Sequence, residues 1–512
     1  MHPTNPRWKI ILPLAILKFL LPFIGIHAVY ELQRDEYLYY QQGLHPAWGY
    51  LENPPLLSWM ATISSWLGGS EWSIKTWPAL LGALTLIMAC ILAARWGGKA
   101  WAQAVTALVF ILAAFARVHL LFQPNIIDIF AWTACIWMLV LFQQTRQKRY
   151  WYGFAAAAVV GFYGKYTILF LLAAIAIGWL FTSQRKLFLS RHLYIALGIA
   201  LLLALPNIYW QYQQNWPLLH HMQELQETQL KFLSPLNFIA EQFLYLLPFL
   251  PIWLAGVAWF FFNAPWRWMG ITFIALLTLL MLGSAKGYYA LGIYPSLIAA
   301  GAAFWQKRSA TIKWLQPAIL TVVILLSLPM IPFLLPFAPP ATMANIFKTM
   351  QFEKTGLLRW EDQKDHPLPQ DYADMIGWKA IADKAEKAFH QLPDSVKQHT
   401  VVYCRHYGQA GALKFYSRDK DFQDRVISDN GSFLLWIKPE MDFRHLLFVG
   451  RNNPDADDEV FNHFASRQIL DSVNMPLSRQ HGDKVILFRD ADSVASSLAR
   501  TGLAEMKLRF QR

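Results

Sequence analysis

Asp35 and Glu36 stand side by side just past the first membrane-length apolar stretch, Ile10 to Tyr30. Charged groups this close to hydrocarbon are costly and often mark function. The chain that follows carries Tyr37, Tyr39 and Tyr40, then Gly49-Tyr50-Leu51-Glu52-Asn53-Pro54-Pro55-Leu56. Acids, aromatics and a double proline occupy a stretch where a bland solvated loop would suffice. More ionisable groups recur at helix ends. Arg117 and His119 close one apolar segment, Asp128 opens the next in Gln123-Pro124-Asn125-Ile126-Ile127-Asp128, and Lys165 lies in Gly164-Lys165-Tyr166-Thr167. Lys286 lies in Ala285-Lys286-Gly287-Tyr288-Tyr289. Brought together, these groups make a rim of two or three acids facing several cations. Taken singly, each reads first as a snorkelling or helix-end residue rather than a catalytic one.

The elements that must position them are membrane helices. The 512 residues are 55% hydrophobic and 15% charged, which excludes one soluble domain. Apolar runs at 10–30, 77–94, 101–117, 126–143, 150–163, 166–182, 192–209, 237–262, 268–283, 287–304 and 314–337 predict about eleven transmembrane helices. The expected division is a membrane domain over 1–340, with long loops at 31–76 and 210–236, followed by a soluble domain over 341–512.

Charge placement orients these segments. The N-terminus and 95–100, 144–149, 183–191, 263–267 and 305–313 hold fourteen Lys and Arg (Lys313 among them) and no acid. The alternate segments hold six, together with all nine acids that precede residue 340. The positive-inside rule then predicts a cytoplasmic N-terminus and a C-terminal domain on the outer face. The net charge of +12 belongs to the membrane half, because 341–512 carries 24 basic and 24 acidic residues. That distribution excludes a nucleic-acid stripe.

The cytoplasmic segments contain no phosphate-binding loop, so any chemistry is expected outside. Nucleotides are not expected there, and the substrate must arrive pre-activated, most simply on a lipid. No cofactor is expected. No metal site is expected either: His220-His221 are adjacent and lack a Cys or His partner set. Cys90, Cys135 and Cys404 form no disulfide framework. Lys18, within the first apolar stretch, reads as a paired or cavity-lining residue. The first stretch lacks a cleavage site and reads as a retained anchor.

The C-terminal domain reads as α/β. Asp371–Leu392, Tyr407–Tyr416 and Asp457–Ala465 are predicted helices. Thr400–Tyr403, Phe433–Ile437, Leu446–Val449 and Val485–Phe488 are predicted strands.

The order Asp35-Glu36-x-x-Tyr39, Gly49-Tyr50-x-x-Asn53-Pro54-Pro55-Leu56-x-x-Trp59 resembles the first outer loop of the integral-membrane GT-C glycosyltransferases. These are the relatives of protein O-mannosyltransferases and lipid A aminoarabinose transferases. The resemblance continues through Asp128, Gly164-Lys165-Tyr166-Thr167, Pro206-Asn207-x-x-Trp210 and Lys286-x-x-Tyr289-x-x-x-x-Tyr294-Pro295, and spans about 10–305.

It implies inverting transfer of a sugar from a polyprenyl-phosphate donor to a lipid, glycan or protein acceptor, at the periplasmic face of a bacterial inner membrane. It also implies Asp35 as the catalytic acid of the loop, with Glu36 in support and Asp128 as the second acid. Lys165, Lys286 and Arg117 are then the candidates for the donor phosphate. Tyr39, Glu52, Asn53, Pro54, Pro55, Tyr166 and Tyr289 line the substrate. Asn53 departs from the pattern, because relatives often carry Lys or His before the proline pair. With a single phosphate on the donor, no divalent metal is required. A transporter or flippase would instead place its charges at midspan in two related halves. A membrane-anchored receptor would leave the Asp35 loop unexplained.

Overall fold

The structure is a computed structural model and describes residues 3–228, 234–312, 314–438, 441–451 and 459–510. Part of the predicted 210–236 loop, Lys313, and the first two residues of the predicted Asp457–Ala465 helix lie outside them.

All eleven apolar segments fall on helices. Among the described residues, five helices are long and apolar enough to cross a membrane alone: Glu71–Arg95, Pro124–Thr145, Arg191–Gln213, Ala264–Leu282 and Leu315–Leu334. Counting two bent pairs as single spans raises the number to seven. Those pairs are Ile168–Leu180 with Ser183–Leu189, bent by 114°, and Pro235–Leu244 with Leu247–Phe262, bent by 71°. Others are shorter, such as Trp8–Ile24 and Ala100–Leu112. The protein is a multi-pass membrane protein.

Burial separates two kinds of helix. Glu71–Arg95 and Pro124–Thr145 are mostly buried in the bundle, whereas Arg191–Gln213 and Leu315–Leu334 keep large apolar faces exposed, as lipid-facing helices do. Helices Leu250–Phe262 and Tyr294–Arg308 pack closely through Gly256 and Gly301. A Cβ at either would run into the facing backbone.

The C-terminal part carries a five-stranded sheet in the order β2-β1-β3-β5-β4. Its strands are β1 (Thr400–Cys404), β2 (Val426–Ile427), β3 (His445–Arg451), β4 (Phe464–Ser472) and β5 (Asp483–Ala491). β1, β2 and β3 are parallel, while β5 joins β3 and β4 antiparallel. β3 is buried from His445 to Gly450, as a central strand covered on both faces should be.

Three elements differ from expectation. Phe433–Trp436 is a helical turn rather than a strand. It follows Gly431, whose φ of 61° turns the chain, and a four-residue apolar run suits either state. The predicted Asp371–Leu392 helix breaks into Gln370–Ala373 and Trp378–His390 at Gly377, with φ 89°. The third is the predicted helix ending at Ala465. Glu459–His463 forms a 3-10 turn and Phe464 begins an exposed edge strand, whose Arg467, Gln468 and Asp471 hid it from any alternation test.

Candidate active site

The helix Arg34–Leu44 is built to fix its own first turn. Gln33 caps it: the Asp35 amide donates to Gln33 Oε1 at 2.8 Å, and the Gln33 amide donates to Glu36 Oε2 at 2.6 Å. This reciprocal capping box satisfies two orphan amides and favours acids in the first turn.

The neighbours Asp35 and Glu36 have opposite surroundings. Glu36 is fully buried. Lys75 Nζ donates to both of its oxygens at 2.8 and 2.6 Å, and the Phe122 amide adds a bond of 2.6 Å. Every oxygen of Glu36 is thus taken by the protein. Asp35 keeps a side chain that is 20% exposed. Its Oδ1 accepts from Tyr407 Oη at 2.7 Å and Arg34 Nε at 3.1 Å. Among the described residues, its Oδ2 accepts only a long contact of 3.2 Å from Gln123 Nε2.

Asp128 and Lys165 share a second cluster. Thr167 Oγ1 donates to Asp128 Oδ2 at 2.8 Å, while Asp128 Oδ1 is buried without a partner among the described residues. Lys165 Nζ donates to Asn125 Oδ1 at 2.8 Å and sits 3.4 Å above the Tyr289 ring. Both Asp128 and Lys286 act electrostatically on Lys165. Lys286 also reaches Glu241 and Glu361.

Tyr39 connects the two clusters. It is half-buried and within electrostatic reach of Asp35, Tyr407, Glu52 and Tyr289. Burial, with those anions and phenols nearby, pushes its hydroxyl well above the usual phenol range.

The remaining loop residues pin the site. Glu52 accepts from the Ser432 amide at 2.6 Å, Ser432 Oγ at 2.5 Å and Gln42 Nε2 at 3.0 Å. Gly431 makes room for this contact, since a Cβ there would fall 2.2 Å from Glu52 Oε1. Burial raises the Glu52 carboxyl, against the pull of Ser432 and His221. Asn53 donates to the Pro54 carbonyl at 2.8 Å, and its Oδ1 is buried without a partner among the described residues. Pro54 and Pro55 are buried, and Pro55 caps helix Leu56–Trp66. Tyr166 Oη donates to Asn207 Oδ1 at 2.9 Å, and Asn207 Nδ2 donates to the Trp48 carbonyl at 2.7 Å.

Arg117 lies elsewhere. Its guanidinium forms a fork on Asp371, donates to the Phe333 carbonyl at 3.0 Å and stacks on the Phe333 ring. Nε, Nη1 and Nη2 of Arg117, which was expected to be a phosphate ligand, each donate here to Asp371 or to a backbone carbonyl. For metals, one exposed-edge group stands out among the described residues. Glu386, His390 and Asp419 have ligand atoms within 4.8 Å of one another.

Arg34, Lys75, Gln123, Ser432 and Tyr407 escaped the sequence reading. Lys75 is spaced like any helix-end lysine. Tyr407 and Ser432 lie more than 350 residues from the groups they touch (372 for Tyr407 and Asp35), so no local pattern could pair them.

The architecture as a whole is shared with solved structures, and part of the chain matches one family profile. A family profile described as dolichyl-phosphate-mannose-protein mannosyltransferase matches residues 52–210. The apo structure of ArnT from Cupriavidus metallidurans superposes with a TM-score of 0.60 at 16% identity, covering 96% of this chain and 98% of that one. The same protein bound to undecaprenyl phosphate gives a TM-score of 0.59 at 14% identity, covering 94% and 97%. An oligosaccharyltransferase of Archaeoglobus fulgidus, in complex with zinc and sulfate, gives 0.50 at 12% identity over 86% of this chain and 67% of that one. No curated protein matches in sequence.

Proposed function

We propose that this protein is an inverting glycosyltransferase. It moves a sugar from a polyprenyl phosphate, undecaprenyl phosphate in a bacterium, to a cell-envelope acceptor such as lipid A, another glycolipid or glycan, or a protein. The reaction takes place on the periplasmic face of the inner membrane. In this reading 1–340 is the membrane domain, with a cytoplasmic N-terminus, and 341–512 is a periplasmic domain.

The observation that carries the proposal is the contrast at the acid pair. Glu36 is wholly occupied by Lys75 and backbone amides, whereas Asp35 Oδ2 keeps an open edge with one long contact. Asp35 is the group with room to take a proton from an acceptor hydroxyl. Lys165, fixed by Asn125 and Tyr289, and Lys286 beside it carry positive charge where a leaving phosphate gathers negative charge. The glycosidic bond to phosphate breaks as the acceptor oxygen attacks the sugar carbon from the opposite side. The proton passes to Asp35 and the electron pair leaves on the phosphate. No enzyme nucleophile is required. Asp128 holds Lys165 electrostatically rather than meeting substrate first. With a phosphate acceptor, already ionised, Asp35 orients the sugar instead.

Two measurements test this reading. Purified Asp35→Asn should insert and unfold like the parent and transfer no sugar; near-normal transfer removes Asp35 from the mechanism. Comparing envelope lipids and glycans by mass spectrometry, with and without the gene, should show one species losing one sugar. Unchanged lipids and glycans would sink the enzyme reading.

A further inference from the structure

The helix Tyr407–Tyr416 of the C-terminal part lies on the helix Arg34–Leu44 that carries Asp35, and it is fixed there along its whole length. At its start, Tyr407 Oη donates to Asp35 Oδ1 at 2.7 Å. At its end, the Tyr416 hydroxyl meets the Tyr37 hydroxyl at 2.9 Å and donates to Glu71 Oε1 at 2.8 Å. Between these ends two glycines face the Asp35 helix. A Cβ at Gly408 would stand 2.8 Å from Arg34 Cγ and from the Trp378 ring. A Cβ at Gly411 would stand 2.7 Å from Tyr37 Cβ and 3.1 Å from the Tyr37 backbone. Side chains at 408 and 411 would wedge the two helices apart.

The first turn of this helix is itself held. His406 and Gln409 form a capping box, the Tyr407 amide donates to Asn430 Oδ1 at 3.3 Å, and Gln409 Nε2 donates to the buried Asp483 at 2.6 Å. Tyr407 therefore approaches Asp35 from a rigid mount. Arg34 and Tyr407 together fill Oδ1, which turns Oδ2 outward.

We infer that Tyr407 is a positioning residue for Asp35, and that the C-terminal domain completes the catalytic centre by mounting the Tyr407 helix on the Asp35 helix. The inference rests on the glycosyltransferase reading above. A carboxylate acting as base must be held within hydrogen-bond reach of the proton it takes. With Tyr407 removed, Arg34 Nε alone holds Oδ1 and is free to pull the carboxylate away from the acceptor.

The test uses full-length protein in detergent with synthetic undecaprenyl-phosphate hexoses and pentoses, and total envelope extract as the acceptor source. Release of undecaprenyl phosphate reports the rate. Tyr407→Phe should lower kcat by about tenfold or more, the size of one hydrogen bond to a charged group. Donor KM and the unfolding temperature should stay at parental values. Gly411→Ala should lower kcat while Tyr407 is intact, and should increase amide exchange across 407–416. In the Tyr407→Phe background the same change should cost little more, because both act through one contact. If Gly411→Ala fails to fold, Tyr407→Phe alone decides the matter.

Parental kcat in folded Tyr407→Phe overturns the inference, as does a rise in donor KM at unchanged kcat. A fall in unfolding temperature with parental kcat would make the contact purely structural. An active Asp35→Asn would remove the parent reading instead, so the two failures are distinguishable.

Discussion

Lys75 places its ammonium on both carboxylate oxygens of Glu36 and spends its remaining direction on the Leu120 carbonyl at 2.9 Å. Lys75 is nearly buried and Glu36 wholly so. The pair ties three segments together: the Asp35 helix, the start of the long helix Glu71–Arg95, and the turn before Pro124. The membrane bundle is thereby joined to the loop that presents Asp35.

Breaking one side of this pair strands a charge. Lys75→Met leaves Glu36 buried with only amide donors, and should cost about 3–5 kcal/mol of stability. Glu36→Gln alone should cost a similar amount. The double variant should recover part of the loss, since no unpaired charge remains. Thermal unfolding of the four proteins in one detergent measures the coupling. Additive losses would show that the pair does not act as a unit.

Arg117 and Lys165 differ in what holds them. Because its fork closes on Asp371, Arg117→Gln and Asp371→Asn should lower the unfolding temperature by similar amounts. The double variant should be no worse than either, and donor KM should be parental in all three. A donor KM raised by Arg117→Gln but not by Asp371→Asn would return Arg117 to the phosphate.

Lys165 is the contrasting case. Its neighbours Asn125 and Tyr289 fix it without neutralising it. Lys165→Met should lower kcat by about 10²–10³-fold, as loss of one preorganised transition-state donor does. Asn125→Ala, which loosens the lysine but leaves its charge, should cost less. Equal losses, or an effect confined to KM, would contradict a role in stabilising the leaving phosphate.

The first loop was legible because its chemistry is local. Asp35, Glu36, Asn53 and the proline pair fall within one short stretch, although the helices Arg34–Leu44 and Leu56–Trp66 inside the expected loop were not foreseen. The apolar segments were legible for the same reason: a membrane imposes length and polarity on each segment separately. What stayed hidden depends on distant packing. Glu36 looks like Asp35 until Lys75 arrives, and Arg117 looks like Lys165 until Asp371 arrives. The turn at Phe433–Trp436 and the edge strand at Phe464–Ser472 needed the rest of the sheet to choose their conformation.

The face between the sheet and the Asp35 loop also titrates. Burial raises the Asp374 carboxyl from 3.8 to about 6, against the pull of Arg34 and Arg479. Burial likewise raises Asp483 from 3.8 to about 6, offset by the Gln409 bond and by Arg451 and Arg479. Glu31, which caps the amides of Trp378 and Lys379, rises from 4.5 to about 7 for the same first cause. For an acid raised in this way the folded state binds the proton more tightly than the unfolded chain. Its contribution to stability is fully present below the ordinary value and is lost as pH rises through the folded value. These three acids therefore pull the unfolding temperature down as pH rises from about 4 to about 7, while His406, its imidazole held well below the usual range by burial, pulls the other way. Asp483→Asn keeps an acceptor for Gln409 and removes one of the titrating groups, so it should flatten the part of the slope below about pH 6. A parental slope in Asp483→Asn, measured by calorimetry across that range, would take Asp483 out of the pH dependence.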